Sequence, residues 1–258
     1  GPRLLAAGIG MKGSHGAGHI GMPHCGAGEI RHTCRENLKK GADLLKLFIT
    51  PGVPDPASTF VPSFLSLEEI STAVSEGARL GIPTAAHCIG GQGLKDCIDG
   101  GVDVIEHMYM ASEQDVERLA ASRCVVDLTS GIFLDPSREE FLSPANALKV
   151  RLNRRRVREN VARIIKARLP FVLGTDAYHG FLYREVGYAV ELGADPVTAI
   201  QGVTSRAARV CRLEDRIGKL ENGMEADIIA VEGNPLEDVS RLSQVGLVMK
   251  GGVVYRQP

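Results

Sequence analysis

This sequence lacks a surplus of charge of either sign: 30 lysines and arginines meet 31 aspartates and glutamates, a formal net of -1 at pH 7. Without such a surplus there is no electrostatic reason to expect nucleic acid or an anionic membrane surface as a partner. No apolar run approaches the length that spans a bilayer, and no signal peptide opens the chain, so no membrane is expected either. The cysteines (Cys25, Cys34, Cys88, Cys97, Cys124 and Cys211) form no CxxC pair and no disulfide-type spacing. That points to reduced thiols and a cytoplasmic setting. What remains is an ordinary globular composition, 44% hydrophobic and 24% charged, in 258 residues that can bury one large core.

Thirty glycines and thirteen prolines suggest many short turns, and the hydrophobic pattern agrees. Short apolar runs at Leu4–Gly8, Leu44–Ile49, Pro83–His87, Val102–His107, Cys124–Thr129 and Phe171–Asp176 read as strands. Amphipathic stretches at 30–41, 66–81, 90–101, 112–122, 148–169 and 195–212 read as helices between and after them. Ser66-Leu67-Glu68-Glu69 has the form of a capping box, and Asp195-Pro196 that of a cap followed by a first turn. Strands alternating with helices predict an α/β fold with a parallel sheet, of the (β/α)₈ TIM-barrel kind. The run 149–168, with Arg154-Arg155-Arg156, could serve an RNA-binding helix. Its Leu152, Val157, Val161, Ile164 and Ile165 fall at helical spacing, so the solvated face of a barrel helix is the better reading.

After Leu213 the pattern changes to two short β runs, Asp227–Glu232 and Val245–Tyr255, punctuated by glycine. The predicted division is therefore a barrel over residues 1–213 and a β appendage over 214–258. Only about six barrel strands are visible where a closed barrel has eight, so the expectation is that the start of the barrel is absent. Gly1-Pro2-Arg3 is not a natural translation start, which fits a chain beginning mid-domain. Such a chain is expected to aggregate, pair with a second copy as a homo-oligomer, or need its missing segment.

Three predicted strands end in a side chain able to hold a metal: His87, His107 and Asp176. A fourth carries Lys46 in mid-strand, where a parallel sheet buried on both faces would ordinarily place an apolar residue. Period two sets Leu44, Lys46 and Phe48 on one face, with Ala85 and His87, Ile105 and His107, and Gly174 and Asp176 matched likewise. Barrel active sites lie at the strand C-termini, so these groups could converge on one axis. Each also has a structural reading: a hydrogen-bonded histidine, a helix-capping aspartate, a lysine snorkelling outward.

Several segments then resemble successive motifs of the amidohydrolase superfamily. They are Gly41-Ala42-Asp43-Leu44-Leu45-Lys46 with Gly52-Val53, Gly81-Ile82-Pro83 with Ala86-His87, Gly101-Val102-Asp103 with Ile105-Glu106-His107, and Gly174-Thr175-Asp176-Ala177. The branch they resemble holds Xaa-Pro dipeptidases (prolidases), related zinc carboxypeptidases and imidazolonepropionase-like proteins. Gly223-Met224-Glu225-Ala226-Asp227-Ile228-Ile229 with Gly233-Asn234-Pro235-Leu236 resembles that family's C-terminal β-sandwich strands. Residues 1–8 and Gly13-Ser14-His15-Gly16 look like its third-strand region.

The resemblance implies a metal-dependent hydrolase of amide or peptide C–N bonds, with a small molecule or dipeptide as substrate. It implies one or two divalent metals, usually zinc, and a CO₂-derived carbamate on Lys46 as bridging ligand. Lys46, His87 and His107 would hold one metal and Asp176 the other, with Asp176 also taking the proton of the metal-activated water. Burial favours the neutral amine that CO₂ requires, and the metals stabilise the carbamate. His15, Tyr178, His179 and Arg184 are the implied substrate contacts, with loop packing and a surface ion pair as the alternative for Tyr178 and Arg184.

The departures are as informative. The family's first-strand His-x-His has no counterpart, although His15, His19 and His24 lie near the start. Thr50-Pro51-Gly52 stands where relatives commonly have Thr-Gly-Gly, removing a backbone donor beside Lys46. A truncated, non-catalytic remnant of the fold with a partial metal site is the competing reading from another class. A lactonase or phosphotriesterase could use the same carbamate centre, whereas Lys46 counts against an imidazolone-type hydrolase. Metal content separates enzyme from remnant.

Overall fold

The computed structural model of the chain describes residues 2–16, 21–176 and 179–257, with the backbone alone of His179. Seven short strands make one sheet: β1 (Met11–Gly13), β2 (Met22–His24), β3 (Leu45–Phe48), β4 (Thr84–Cys88), β5 (Val104–His107), β6 (Val125–Leu128) and β7 (Phe171–Leu173). Their order is β2-β1-β3-β4-β5-β6-β7, and every neighbouring pair is parallel.

The connections are helical. Helix α1 (Gly26–Lys39) leads into β3, and α2 (Leu67–Ala78), α3 (Gly91–Asp99) and α4 (Glu113–Ala120) join the strands up to β6. A short α5 (Gly131–Leu134) and the long α6 (Pro144–Lys166) precede β7, and α7 (Leu182–Glu191), α8 (Pro196–Gly202) and α9 (Ser205–Val210) follow it. This is the expected barrel-type winding. Helix α2 starts at the capping box read from the sequence, with the Ser66 side chain accepting from the Glu69 backbone N–H and the Glu69 side chain reaching back.

Seven strands stand where about six were expected, and the first is displaced. Leu4–Gly8 forms no strand: Leu4 is 81% exposed, and the segment's tie to the sheet is a pair of hydrogen bonds between Ala6 and Asp43. The place beside β3 belongs to Met11, Lys12 and Gly13, all buried, with Met11 aligned on Leu47 and Lys12 on Phe48. Burial overrides pattern here, since Met11-Lys12-Gly13 carries a lysine and a glycine yet is covered, while the more apolar Leu4–Gly8 is not.

The sheet has two unlike faces. Leu45, Leu47, Ala86, Cys88, Ile105, Val126 and Leu128 are buried against the helices and form the core. Lys46, Phe48, His87, Glu106 and Asp127 alternate with them on the opposite, half-buried face. Helix α6 lays Val150, Val157, Val161, Ile164 and Ile165 on that core, while Leu152 is 60% exposed. Its arginines are engaged within the molecule: Arg154 with Glu139, Arg155 with Glu159 and Arg158 with Glu191.

A separate antiparallel sheet, ordered β10-β9-β8, is formed by β8 (Ile228–Val231), β9 (Val245–Lys250) and β10 (Val253–Arg256). No residue from 214 to 257 is buried. Arg3 pairs with Glu225 and Asp227, joining the first residues to this appendage. All six cysteines are free thiols. Among the described residues no helix is long and apolar enough to cross a membrane.

Candidate active site

Lys46 stands mid-strand on β3, aligned with Ala85 of β4, and its neighbour Phe48 is aligned with His87. In turn His87 is aligned with Glu106 of β5, and Glu106 with Asp127 of β6. Successive strands therefore carry a lysine, a histidine and two carboxylates on one face toward the strand C-termini, where barrel chemistry is sited. Lys46 Nζ forms an ion pair with Glu106 and lies 5.2 Å from the centre of the Phe48 ring. Burial pulls its ammonium down from 10.5 to about 8, opposed by Asp127 and Asp176.

Alternation puts Glu106 on this face, where the sequence pointed to His107. His107 nevertheless arrives, because it and Met108 adopt positive φ of 79° and 53° and turn the chain as β5 ends. For residues with side chains that is an uncommon backbone region, held by its surroundings. The turn brings the His107 and His87 rings to 4.5 Å between centroids. Thr129 Oγ1, 2.7 Å from His107 Nδ1, fixes the ring, and the Tyr109 hydroxyl donates to the Thr129 carbonyl at 3.0 Å. His107 Nε2 is left facing Glu106 at 3.8 Å. His87 Nε2 donates to the Pro51 carbonyl at 3.1 Å, so the residue that removed a backbone donor supplies an acceptor. Burial, the neighbouring imidazole and Lys46 hold the His107 proton affinity well below the usual imidazole range. Burial and Lys46 lower that of His87. Both rings are therefore neutral at pH 7, the form that binds metal.

Asp127 is the residue that sequence reasoning missed. Its Oδ1 is closed off from solvent and has no hydrogen-bond partner. A Cβ on Gly174 would come within 2.9 Å of its carboxylate, so glycine keeps that space open. Burial pushes its carboxyl from 3.8 up to about 7, with Lys46 opposing. The signal was present in Val125-Val126-Asp127-Leu128, an aspartate inside an apolar strand like Lys46 in β3. A carboxyl raised on folding contributes stability that is present below its unfolded value and lost as pH rises through about 7. Asp127→Asn is therefore expected to stabilise the metal-free protein at pH 7–8 by about 1–3 kcal/mol. The variant should also flatten the fall in urea midpoint between pH 4 and 7. A variant with the wild-type profile would show that the buried charge costs nothing.

Asp176 follows β7 by three residues, exposed, with φ of 48°. It lies within electrostatic range of Lys46, His87 and Asp127, which places it at the same mouth. Among the described residues no three His, Cys, Asp or Glu side chains are already gathered around one metal position. Two neutral imidazoles, a lysine with a depressed ammonium and an orphaned buried carboxylate oxygen are the donors a divalent cation and a carbamate would need, and the residues fit on that chemistry.

The other predicted residues divide. His15 is exposed on the loop after β1, edge-on to Phe64 with ring centroids 5.9 Å apart. Both ring nitrogens of buried His24 are taken, by the Met22 carbonyl and Thr33 Oγ1 at 2.7 Å each, so it is a structural histidine. Arg184 donates to buried Asp135 at 2.6 Å and to Ser137 Oγ at 2.9 Å, and stacks over Phe181. It belongs to a network around the wholly buried Arg138–Glu185 pair, which is 2.8 Å apart. His19, Tyr178 and the His179 side chain lie outside the described residues.

A parallel barrel-type sheet with a polar cluster at its strand ends is the architecture of a hydrolase family, and the sequence match names it. Residues 1–254 match the Amidohydrolase family, to which the chain belongs. It is 32% identical over 248 residues to ochratoxinase of Aspergillus niger, covering 90% of this chain and 50% of that protein. It is 24% identical over 179 residues to imidazolonepropionase of Desulfotalea psychrophila, covering 65% of this chain and 38% of that protein. In structure it is similar to a Xaa-Pro dipeptidase with methionine bound in the active site. The TM-score is 0.81 at 30% identity, over 91% of this chain and 59% of that one. Its similarity to the A. niger ochratoxinase structure gives a TM-score of 0.82 at 27% identity, over 100% and 67%. The chain spans about half the length of the curated relatives it matches.

Proposed function

We propose that this chain carries the centre of a divalent-metal-dependent hydrolase acting on amide C–N bonds of small, dipeptide-like substrates. The observation that carries the reading is Lys46, half-buried in mid-strand beside His87, His107 and two carboxylates. The similarity to a Xaa-Pro dipeptidase and to ochratoxinase supports it.

Lys46 as its carbamate, His87, His107 and Asp176 would hold one or two divalent ions, zinc by preference, and Asp127 is an added anionic oxygen beside them. When bound, such an ion supplies Lewis acidity to the scissile carbonyl and a hydrolytic water acidified toward ~7. The protein's own part is positioning and proton transfer. Thr129 and Tyr109 hold the His107 ring through Nδ1, and the Pro51 carbonyl holds His87 through Nε2, contacts that would orient both imidazoles for ligation. The Asp176 carboxylate takes the proton of the attacking water and returns it to the leaving nitrogen. His15, Tyr178 and His179 are the proposed substrate contacts, with Arg184 available only on leaving Asp135.

The test is metal content per chain after loading with zinc and bicarbonate. One or two tightly held equivalents are expected, lost on chelation together with hydrolysis of dipeptides. A chain that retains none is a scaffold without a centre, and the proposal fails.

A further inference from the structure

At the opposite end of the strands from the candidate active site lies a cavity of about 500 Å³. It is lined by Arg123 before β6, Arg168 before β7, Arg206 and Arg209 on α9, and Arg212 just beyond that helix. Arginines at 206, 209 and 212 recur every three residues and so share one side of the α9 turn. The carboxylate among the lining residues is Asp103. It sits 3.8 Å from Arg212 and also accepts the Thr84 backbone N–H. Among the described residues Arg123, Arg168, Arg206 and Arg209 form no ion pair, and Arg206 feels Asp195 only at longer range. Arg206 is held in place over the Phe171 ring, 5.9 Å from its centre.

Five arginines line one cavity, four of them without a carboxylate partner among the described residues, and a bound anion would offset that surplus of positive charge. Many arginines elsewhere are matched: Arg138, Arg154, Arg155, Arg158 and Arg184 all pair with carboxylates. Planar guanidinium forks favour bidentate contact with phosphate oxygens, and the volume suits a small molecule. We infer that this cavity is a binding site for a phosphorylated small molecule carrying at least two negative charges, separate from the hydrolytic centre.

The probe is inorganic pyrophosphate, titrated calorimetrically into the full chain at low ionic strength. One saturable site is expected, weakening as salt is raised. Losing one charge-assisted contact should weaken binding by about tenfold in Arg209→Gln and, on a different element, in Arg123→Gln. The double variant Arg206→Gln/Arg209→Gln should lose about a hundredfold. Arg155→Gln, on the exposed face of α6, should bind as wild type does. Thermal unfolding of each variant checks that it is folded. The inference is overturned by unchanged binding in the double variant, by an equal loss in Arg155→Gln, or by no saturable site at millimolar pyrophosphate. Citrate binding more tightly than pyrophosphate would overturn the assignment to phosphate.

Discussion

In the Lys46→Ala variant, bound metal and amide hydrolysis are expected to fall together, turnover by about 10²–10³-fold, the equivalent of several kcal/mol of lost Lewis-acid stabilisation. Alanine leaves β3 intact, because the Leu45 and Leu47 side chains that anchor it face the other way into the core. What disappears is the group from which an anionic oxygen can be made beside His87. Bicarbonate should speed metal uptake by the wild type and do nothing for the variant. Because only the neutral amine takes up CO₂, and burial lowers the Lys46 ammonium to about 8, the direction with pH follows. The assisted rate should climb by about tenfold per unit below that value and level off above it. A Lys46→Ala protein with full metal content and full turnover would end the carbamate reading, leaving Lys46 as the ion-pair partner of Glu106.

Asp176→Asn should lose at least ~10²-fold in turnover while keeping most of its substrate affinity, since the amide matches the carboxylate in size but cannot accept a proton. Its position makes the test clean. Asp176 is exposed, and asparagine tolerates the 48° φ found there better than most residues do. Stability should therefore change little, and a fall in turnover with the metal content of the wild type retained reads as loss of the proton acceptor rather than of a metal ligand. A variant within a few-fold of wild type would move the proton to another group, with Asp127 the first to examine.

The winding of this chain was legible because its cause is local. Apolar runs short enough for strands, separated by amphipathic segments with caps at Ser66 and Asp195, leave a parallel α/β sheet as the arrangement that buries both. The length and type of Leu44–Ile49 and Cys124–Thr129 were readable for the same reason, to within a residue or two at the ends. Lys46 was legible as an anomaly, since a charge inside an apolar strand has to be explained wherever the strand goes. Asp127 is the same kind of anomaly and was passed over for want of a familiar motif around it.

What the sequence could not decide was which segment pairs with β3, because pairing depends on burial and not on apolar pattern. Leu4–Gly8 reads as strand-like as any, yet Met11–Gly13 takes the place because its side chains are covered. Nor could period two place His107. Its strand parity directs it to the helix side, and only the left-handed turn at 107 and 108 brings its ring back to His87. The gathering of Arg123, Arg168 and the α9 arginines is likewise tertiary, since residues some eighty positions apart meet because parallel strands start at the same end of the sheet. By itself the sequence determined the α/β class, most of the strand and helix types, and the anomaly of Lys46 inside an apolar strand. Strand pairing, the aim of His107 and the isolation of Asp127 Oδ1 were decided by tertiary structure, because each depends on which surfaces exclude water from which atoms.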